Sequence, residues 1–299
     1  MGRSTCQYRN RCARGCPFGA YFSSNSSTLP TAEATGNMTL KPNSIVHEVI
    51  YDDVTKKATG VKVIDAETKE TTIYNAKVIF MCASTIASAS ILLQSKSERF
   101  PNGLGNDSGE LGHNIMDHHF KVGASAKIDG FEDKYIKGRR ANGVYIPRFR
   151  NLGGKTETKD FKRGYGYQGG ATRESISELV AELKYGPQLK EAILKPGEWN
   201  ITLTGFGETL PDHSNRMYLD YEKLDEWGLP TVTFDADFGE NELAMRIDMQ
   251  EQAVQMLEAA GFKDVEGYDE VHNRAMGLGI HEMGTARMGR DPKTSVLNE

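Results

Sequence analysis

The chain has 299 residues and a formal net charge of −5, with 38% hydrophobic and 26% charged residues. This length fits one large domain or two ordinary ones and is enough to bury a sizeable core. No run of about eighteen apolar residues occurs, which excludes a membrane-spanning helix, and the acidic balance argues against a nucleic-acid binder. Glycine is frequent, at 31 residues, which indicates many tight turns and close backbone approaches.

The first 115 residues have the alternating strand and helix pattern of a parallel α/β domain. Residues 29–35 predict a short helix that Gly36 closes. The composition of residues 44–52 predicts a strand, and a polar turn follows it. Alternation of apolar and polar residues over 60–65 then predicts a half-buried antiparallel strand.

An apolar run at residues 76–83 is typical of a strand that is buried on both faces in a parallel sheet. Cys82, within this run, is predicted to pack as a small hydrophobic residue. Small residues and a predicted helix over 86–93 follow. Strand, small residues and helix in this order present helix N-terminal amides to an anion. An ordinary strand–helix corner explains the same residues equally well.

From about residue 116 the chain has the pattern of an antiparallel sheet. Short alternating runs, separated by polar turns, cover residues 119–128, 143–149, 199–206, 215–221 and 230–236. Residues 240–260 predict a helix that ends at Gly261 and has one apolar face. That face consists of Leu243, Ile247, Val254 and Leu257. The chain is therefore predicted to be an α/β protein, α+β overall.

A G-x-G-x-x-G string lies at residues 164–169. A dinucleotide fingerprint follows a buried strand and opens a helix, whereas this string follows charged residues and opens no helical pattern. We therefore reject it as a nucleotide loop and predict a sheet segment that could line a pocket.

Three of the four cysteines, Cys6, Cys12 and Cys16, cluster near the start of the chain. Three thiolates at this spacing could hold an iron–sulfur cluster, and neighbouring arginines favour the thiolate form. The spacing matches no common zinc pattern, and no other metal site is predicted. A reduced structural trio, or one disulfide plus one free thiol, explains the same residues.

Two groups of histidines could carry chemistry. His118 and His119 follow Asp117 and could suggest a metal, but adjacent residues on a strand point to opposite faces, which favours a capping or supporting role. His281 stands among four glycines within residues 277–289, so that a flat ligand could approach its imidazole, the usual general base near neutral pH. A histidine in a glycine-rich surface loop is the alternative.

Residues 281–289, H-E-M-G-T-A-R-M-G, resemble the H-x-x-G-T-x-x-M-G motif of the glucose–methanol–choline (GMC) oxidoreductases. Further blocks resemble that family's pattern in the family's order, at residues 16–30, 44–46, 83–88, 109–118, 208–230 and 291–298. The cysteine-rich start and residues 167–170 are most similar to bacterial sugar or glycoside dehydrogenases within the family.

The resemblance implies an FAD-binding α/β domain joined to a substrate domain on an antiparallel sheet. Residues 1–115 would be an incomplete FAD domain, 116–272 the substrate domain, and 273–299 a segment returning to the FAD domain. It also implies oxidation of a CH–OH group of a sugar, glycoside or polyol, more in keeping with a dehydrogenase than an oxidase. His281 would take the hydroxyl proton while hydride passes to the flavin.

The resemblance further implies FAD contacts for four residues: Val46, Ala83, Ser84 and Asn114. Ser84 stands where the family usually has glycine. Tyr167 and Gln168 lie on a predicted strand of the substrate domain and could contact sugar hydroxyls. Oxygen, a quinone, an electron-acceptor subunit or a cytochrome would all serve as electron acceptor.

Two parts of the family pattern are missing from the chain. The ADP-binding glycine segment would precede residue 1, and a second catalytic His or Asn would follow Glu299. We therefore expect a fragment that binds FAD weakly or not at all and is inactive alone. Two rival functions stay open: a non-catalytic binding module that kept the fold, and an iron–sulfur electron carrier that uses the three clustered cysteines.

Overall fold

The computed structural model of the chain describes residues 3–7, 15–131, 133, 143–173, 186–187, 189–190, 197–273 and 276–298. Within these ranges the strands form a three-stranded sheet, a five-stranded sheet and a two-stranded ribbon, accompanied by α-helices. Every described pairing between these strands is antiparallel. None of the helices in these ranges is long and apolar enough to cross a membrane. The mixture of helices and sheets confirms the predicted fold class.

The first sheet consists of β1 (Ser44–Asp52), β2 (Lys57–Asp65) and β3 (Thr71–Asn75), in that spatial order. A short helix, α1 (Thr28–Glu33), precedes it. The turn from β1 to β2 is polar, as predicted, because the Asp52 carboxylate accepts two backbone N–H groups at 2.8 and 3.0 Å. The predictions of α1, β1 and β2 are therefore confirmed, whereas β3, exposed along its length, was not predicted.

The prediction of a buried strand over residues 76–83 is wrong. These residues form no described strand, and the side chains of Val78 and Phe80 are 67% and 83% exposed. An apolar run predicts burial only where other segments pack on it, and no described segment covers this one. The described part of residues 1–115 likewise contains no parallel strand pair. The helix that follows, α2 (Ser84–Gln94), is confirmed.

The second sheet forms the largest layer among the described residues. Its strands are β4 (Val122–Ile128), β5 (Val144–Ile146), β6 (Tyr165–Arg173), β7 (Trp199–Gly207) and β10 (Lys263–Asp269). Their spatial order is β10-β4-β7-β6-β5. The G-x-G-x-x-G string lies in β6 except for its first glycine, Gly164, which confirms its assignment to a sheet. The sequence did not predict β10.

The runs predicted at 215–221 and 230–236 belong to a separate ribbon. β8 (Arg216–Leu224) pairs with β9 (Pro230–Asp235) and joins neither larger sheet in the described structure. Its turn is closed by Asp225, whose carboxylate accepts two backbone N–H groups, each at 2.9 Å. The expectation of a single antiparallel sheet from residue 116 onward is therefore corrected.

A long helix, α3 (Glu240–Ala259), covers one face of the five-stranded sheet and ends before Gly261, whose φ is 81°. The predicted apolar face is wrong in part, because Leu243 and Ile247 are 42% and 59% exposed. The buried residues of the helix are Glu242, Met245, Arg246, Met249, Ala253 and Leu257. Four of them, Met245, Met249, Ala253 and Leu257, pack on β4, β6 and β7 to form the main core.

Candidate active site

His281 belongs to a segment that is fastened to residues 112–118 by backbone hydrogen bonds. Met116 and Met283 exchange two of these bonds, at 2.9 and 3.0 Å. The His281 N–H donates to the Asp117 carboxylate at 3.0 Å. The backbone on both sides of the histidine is therefore held by the chain that leads into β4.

The same segment also contacts the start of α2. The Thr85 hydroxyl donates to the carbonyl of Glu282 at 2.9 Å, and the Thr285 hydroxyl donates to the carbonyl of Thr85 at 3.2 Å. The segment from 276 onward therefore meets both α2 and the residues before β4.

The glycine of the Gly-Thr pair in the histidine motif is required for steric reasons. Gly284 has a φ of 101°, and a Cβ added there would lie 1.8 Å from the carbonyl oxygen of Asn114. Any other residue would therefore push the two segments apart. Thr285 is buried beside it. The motif glycine allows the backbone of the His281 segment to lie directly against Asn114.

The His281 side chain is exposed and its ring stands edge-on to His118, with centroids 5.2 Å apart and planes at 83°. His118 Nδ1 lies 3.1 Å from the Gly207 carbonyl at the end of β7. A carbonyl accepts only, so Nδ1 carries the proton of His118. An exposed imidazole on an anchored backbone is able to accept a proton from a substrate hydroxyl.

His118 and His119 have different environments, although neither lies on a described strand. His118 is half-buried, whereas His119 is fully buried and packs against Phe238 at 5.2 Å between ring centroids. Burial, the nearby Arg246 and His118 lower the pKa of His119 to about 3. The described ranges contain no group of three His, Cys, Asp or Glu side chains arranged to hold a metal ion.

A cavity of about 420 Å³ lies between the start of α2 and the His281 segment. Its lining residues are Met81, Cys82, Ser84, Thr85, Ser88, Met283, Gly284, Thr285 and Ala286. Cys82 is exposed here, so the prediction that it packs in a core is wrong. The N-cap of α2, Ala83, makes no side-chain cap, and Ser84 has a φ of 67°. The uncapped helix start faces this cavity and fits polar groups of a cofactor.

The candidate cofactor residues lie in two places. Ala83 and Ser84 open α2 beside the cavity, and Asn114 is buried against Gly284, with its amide donating to Glu110 at 2.9 Å. Val46 lies in β1, opposite Val63, and does not line the cavity. The structure therefore brings Ser84, Asn114 and the His281 segment together and leaves Val46 apart.

The candidate substrate residues lie on opposite faces of β6. Tyr167 is fully buried under α3 and donates its hydroxyl to the Met249 carbonyl at 2.6 Å. Burial raises the pKa of this phenol. A substrate cannot reach Tyr167, so that prediction is wrong for a physical reason: the residue is part of the core. Gln168 is exposed on the other face, opposite Tyr145 and Thr204.

Two of the three clustered cysteines lie in the described ranges, and Cys12 lies outside them. Cys6 and Cys16 are thiols that form no disulfide in the described structure. Backbone N–H groups of Tyr21 and Phe18 lower the pKa of the Cys16 thiol. This environment favours the thiolate form, which is the form that binds metals.

Sequence reasoning gave no role to Glu110 and treated Asp117 only as a neighbour of the histidines. Glu110 holds the Asn114 amide, and Asp117 holds the His281 backbone. Both residues belong to the block at 109–118 that also contains Asn114. Their position in that block is the signal that could have identified them.

Comparison with known families decides where this chain belongs. Models for the N-terminal and C-terminal parts of the GMC oxidoreductases match residues 3–120 and 211–299. The chain belongs to the GMC oxidoreductase family. The two matched regions contain Asn114 and Gly284, whose backbones the structure places against one another.

Several curated GMC relatives are similar over nearly all of the chain. The fructose dehydrogenase large subunit of Gluconobacter japonicus is 26% identical over 300 residues, covering 100% of this chain and 52% of that protein. The 2-methyl-1,2-propanediol dehydrogenase of Mycolicibacterium austroafricanum is 30% identical over 294 residues, covering 95% of this chain and 51% of that protein. The gluconate 2-dehydrogenase flavoprotein of Pantoea cypripedii is 22% identical over 309 residues, covering 98% of this chain and 49% of that protein. The chain spans about half the length of these relatives.

Proposed function

We propose that the chain belongs to an FAD-dependent dehydrogenase that oxidises a CH–OH group of a sugar, glycoside or polyol, with His281 as the base. The observation that carries this proposal is the exposed His281 imidazole on a backbone bonded to Met116 and Asp117. The relatives' printed names support the substrate class, since they specify fructose, gluconate and a propanediol as the compounds oxidised.

The role of each residue follows from its chemistry. FAD, when bound, supplies the hydride acceptor for an alcohol carbon. The imidazole of His281 takes the proton of the substrate hydroxyl, as a base within hydrogen-bond reach does. Ala83 and Ser84 would contact FAD at the uncapped start of α2, and Asn114 would do so beside Gly284. Val46 would contact it through its backbone, and Gln168 would donate to sugar hydroxyls from the open sheet face.

A partner that accepts electrons belongs to this proposal. The fructose dehydrogenase relative is named a large subunit, which supports a further subunit or a cytochrome as electron acceptor for the present protein. A small-molecule alcohol or carbohydrate is the other partner.

The base assignment is tested in the full-length, flavin-loaded protein by anaerobic stopped-flow measurement of flavin reduction. The substrate panel contains fructose, gluconate and 1,2-propanediols. We expect His281→Ala to reduce the rate by on the order of 10²- to 10⁴-fold at unchanged flavin content, because general base catalysis is worth that much. The exposed His272 provides the matched control, His272→Ala. Full activity of His281→Ala contradicts the proposal, and a wild type that reduces no flavin with any alcohol favours the rival binding module.

An iron–sulfur cluster on Cys6, Cys12 and Cys16 is a second proposal. The lowered pKa of the Cys16 thiol supports it, together with the close spacing of the three residues. The full-length protein, purified anaerobically, is expected to contain iron and sulfide that Cys16→Ser removes and Cys82→Ser retains. Absence of iron from the wild type removes this proposal and the electron-carrier function together.

A further inference from the structure

The carboxylate of Asp117 is enclosed by backbone N–H groups. Asp117 is 1% exposed. Its Oδ1 accepts from the N–H groups of His118 at 2.7 Å and His281 at 3.0 Å, and its Oδ2 accepts from the N–H of Gly279 at 2.7 Å. Successive N–H groups that converge in this way form a site for an anion. Here the anion is a side chain of the protein itself.

The residue between the two converging amides has an unfavourable backbone. Ile280 has a φ of 57°, in the left-handed region that β-branched residues rarely occupy. Its side chain is 77% exposed, so hydrophobic burial does not compensate for this conformation. The N–H groups on either side of Ile280 donate to the two oxygens of Asp117. The carboxylate is therefore the group that holds this turn in place.

Gly279 shows how closely the turn fits the carboxylate. A Cβ added at Gly279 would lie 2.9 Å from each Asp117 oxygen and 2.7 Å from the His118 carbonyl. These contacts are too short for any side chain. The glycine therefore permits the backbone to close around Asp117, and it does so two residues before His281.

Asp117 is itself anchored to the five-stranded sheet. Its carbonyl accepts the Thr209 hydroxyl at 2.5 Å, just beyond the end of β7. The neighbouring His118 ring contacts the Gly207 carbonyl through Nδ1. A continuous set of hydrogen bonds thus leads from the end of β7, through Asp117, to the backbone of His281.

We propose that Asp117 is a positioning residue, whose carboxylate fixes the strained turn at 279–281 and thereby sets the His281 imidazole edge-on to His118. The inference rests on the proposed role of His281 as the base. Asp117 contacts neither substrate nor flavin in this assignment. It acts through the backbone, so its loss changes where the base lies and leaves the base present.

The first measurement uses the wild-type chain and needs no catalysis. Hydrogen exchange followed by NMR should show slow exchange at the Gly279 and His281 amides, because their N–H groups are bonded to a buried carboxylate. Exchange of both amides at the rate of an open loop would overturn the proposal.

The second measurement uses the full-length flavin-loaded protein. Asp117→Asn places an NH₂ group against a backbone N–H of the turn, so we expect kcat to fall by on the order of 10²-fold with KM and flavin content within about twofold. The matched control is Asp225→Asn, since Asp225 also accepts two backbone N–H groups in a turn, at the β8–β9 hairpin. A kcat for Asp117→Asn equal to that of the control overturns the proposal.

A third variant separates positioning from a general structural role. Glycine adopts positive φ without strain, so Ile280→Gly in the Asp117→Asn background should recover at least about tenfold in kcat. No recovery in a folded, flavin-loaded double variant contradicts the inference. The two proposals also fail separately. If His281→Ala is active, the proposal that His281 is the base is wrong. If His281→Ala is inactive but Asp117→Asn is fully active, only the proposed positioning role of Asp117 is wrong.

Discussion

His119 is enclosed next to Phe238, and neither of its ring nitrogens has a hydrogen-bond partner in the described structure. Protonation of this ring would place a charge in the core beside Arg246, which is why its pKa falls to about 3. In the unfolded chain the same imidazole titrates near its ordinary value of about 6.5. The unfolded state therefore binds the proton first as pH falls, and acid favours unfolding.

This histidine makes folding stability depend on pH. The stabilisation from its lowered pKa is complete above about pH 6.5 and is lost as pH falls toward 3. Urea unfolding should show that wild type loses about 2 kcal/mol more than His119→Leu between pH 7.5 and pH 5, at about 1.4 kcal/mol per pH unit. His272→Leu, at an exposed histidine, should behave as wild type. Identical pH dependence of wild type and His119→Leu would contradict this account.

Three non-glycine residues near the site, Ser84, Asn114 and Ile280, have left-handed backbones. The conformation of Ile280 costs on the order of 1–3 kcal/mol, while each hydrogen bond from its flanking amides to a charged carboxylate contributes about 1.5–3 kcal/mol. Two such bonds therefore outweigh the strain. Ser84, with a φ of 67°, stands where the family usually has glycine, and its backbone conformation is the one that glycine adopts without cost.

Helix α3 shows what periodicity can and cannot specify. The pattern over 240–260 predicted the helix and its end at Gly261, yet it selected a face that includes the exposed Ile247. Two charged residues are buried on the true face because they are bonded. The carboxylate of Glu242 accepts the Leu210 N–H at 2.9 Å, and Arg246 pairs with Asp269. A face that is predicted from apolar residues alone therefore leaves out Glu242 and Arg246.

The true face can be tested by substituting two residues that lie on opposite sides of the helix. Met249 is fully buried and packs over Gly205 and Gly207 of β7, where an added Cβ would come within 2.8 and 2.2 Å of its side chain. We expect Met249→Ala to reduce the free energy of unfolding by about 2–5 kcal/mol and Ile247→Ala by less than about 0.5 kcal/mol. Urea titration measures both. Equal losses would restore the face that the sequence predicted.

At the scale of the whole molecule, apolar residues are buried in the main core and exposed near the cavity. The main core is complete under α3, because apolar residues of β4, β6 and β7 pack against that helix. Phe80 and Met288, by contrast, are close in sequence to residues that line the cavity, and they are 83% and 65% exposed. The chain spans about half the length of its curated relatives. The proposed activity therefore concerns the full-length protein, and its tests use that protein.

Much of the fold was determined by local sequence pattern. Composition predicted β1, alternation predicted β2 and most strands of the five-stranded sheet, and helical patterns predicted α2 and α3. Backbone preference and side-chain periodicity are properties of neighbouring residues. The motif at 281–289 identified the family and its candidate base in the same way. These features depend on residues that lie close together along the chain.

The tertiary structure decided burial and partnership. It exposed residues 76–83, enclosed Tyr167 in the core, and joined Asp117 to an amide 164 positions away. No local pattern specifies these outcomes, because a side chain is buried or bonded only by what distant segments bring against it. The sequence by itself determined which residue is the candidate base. The fold determined which carboxylate accepts the backbone N–H of that residue.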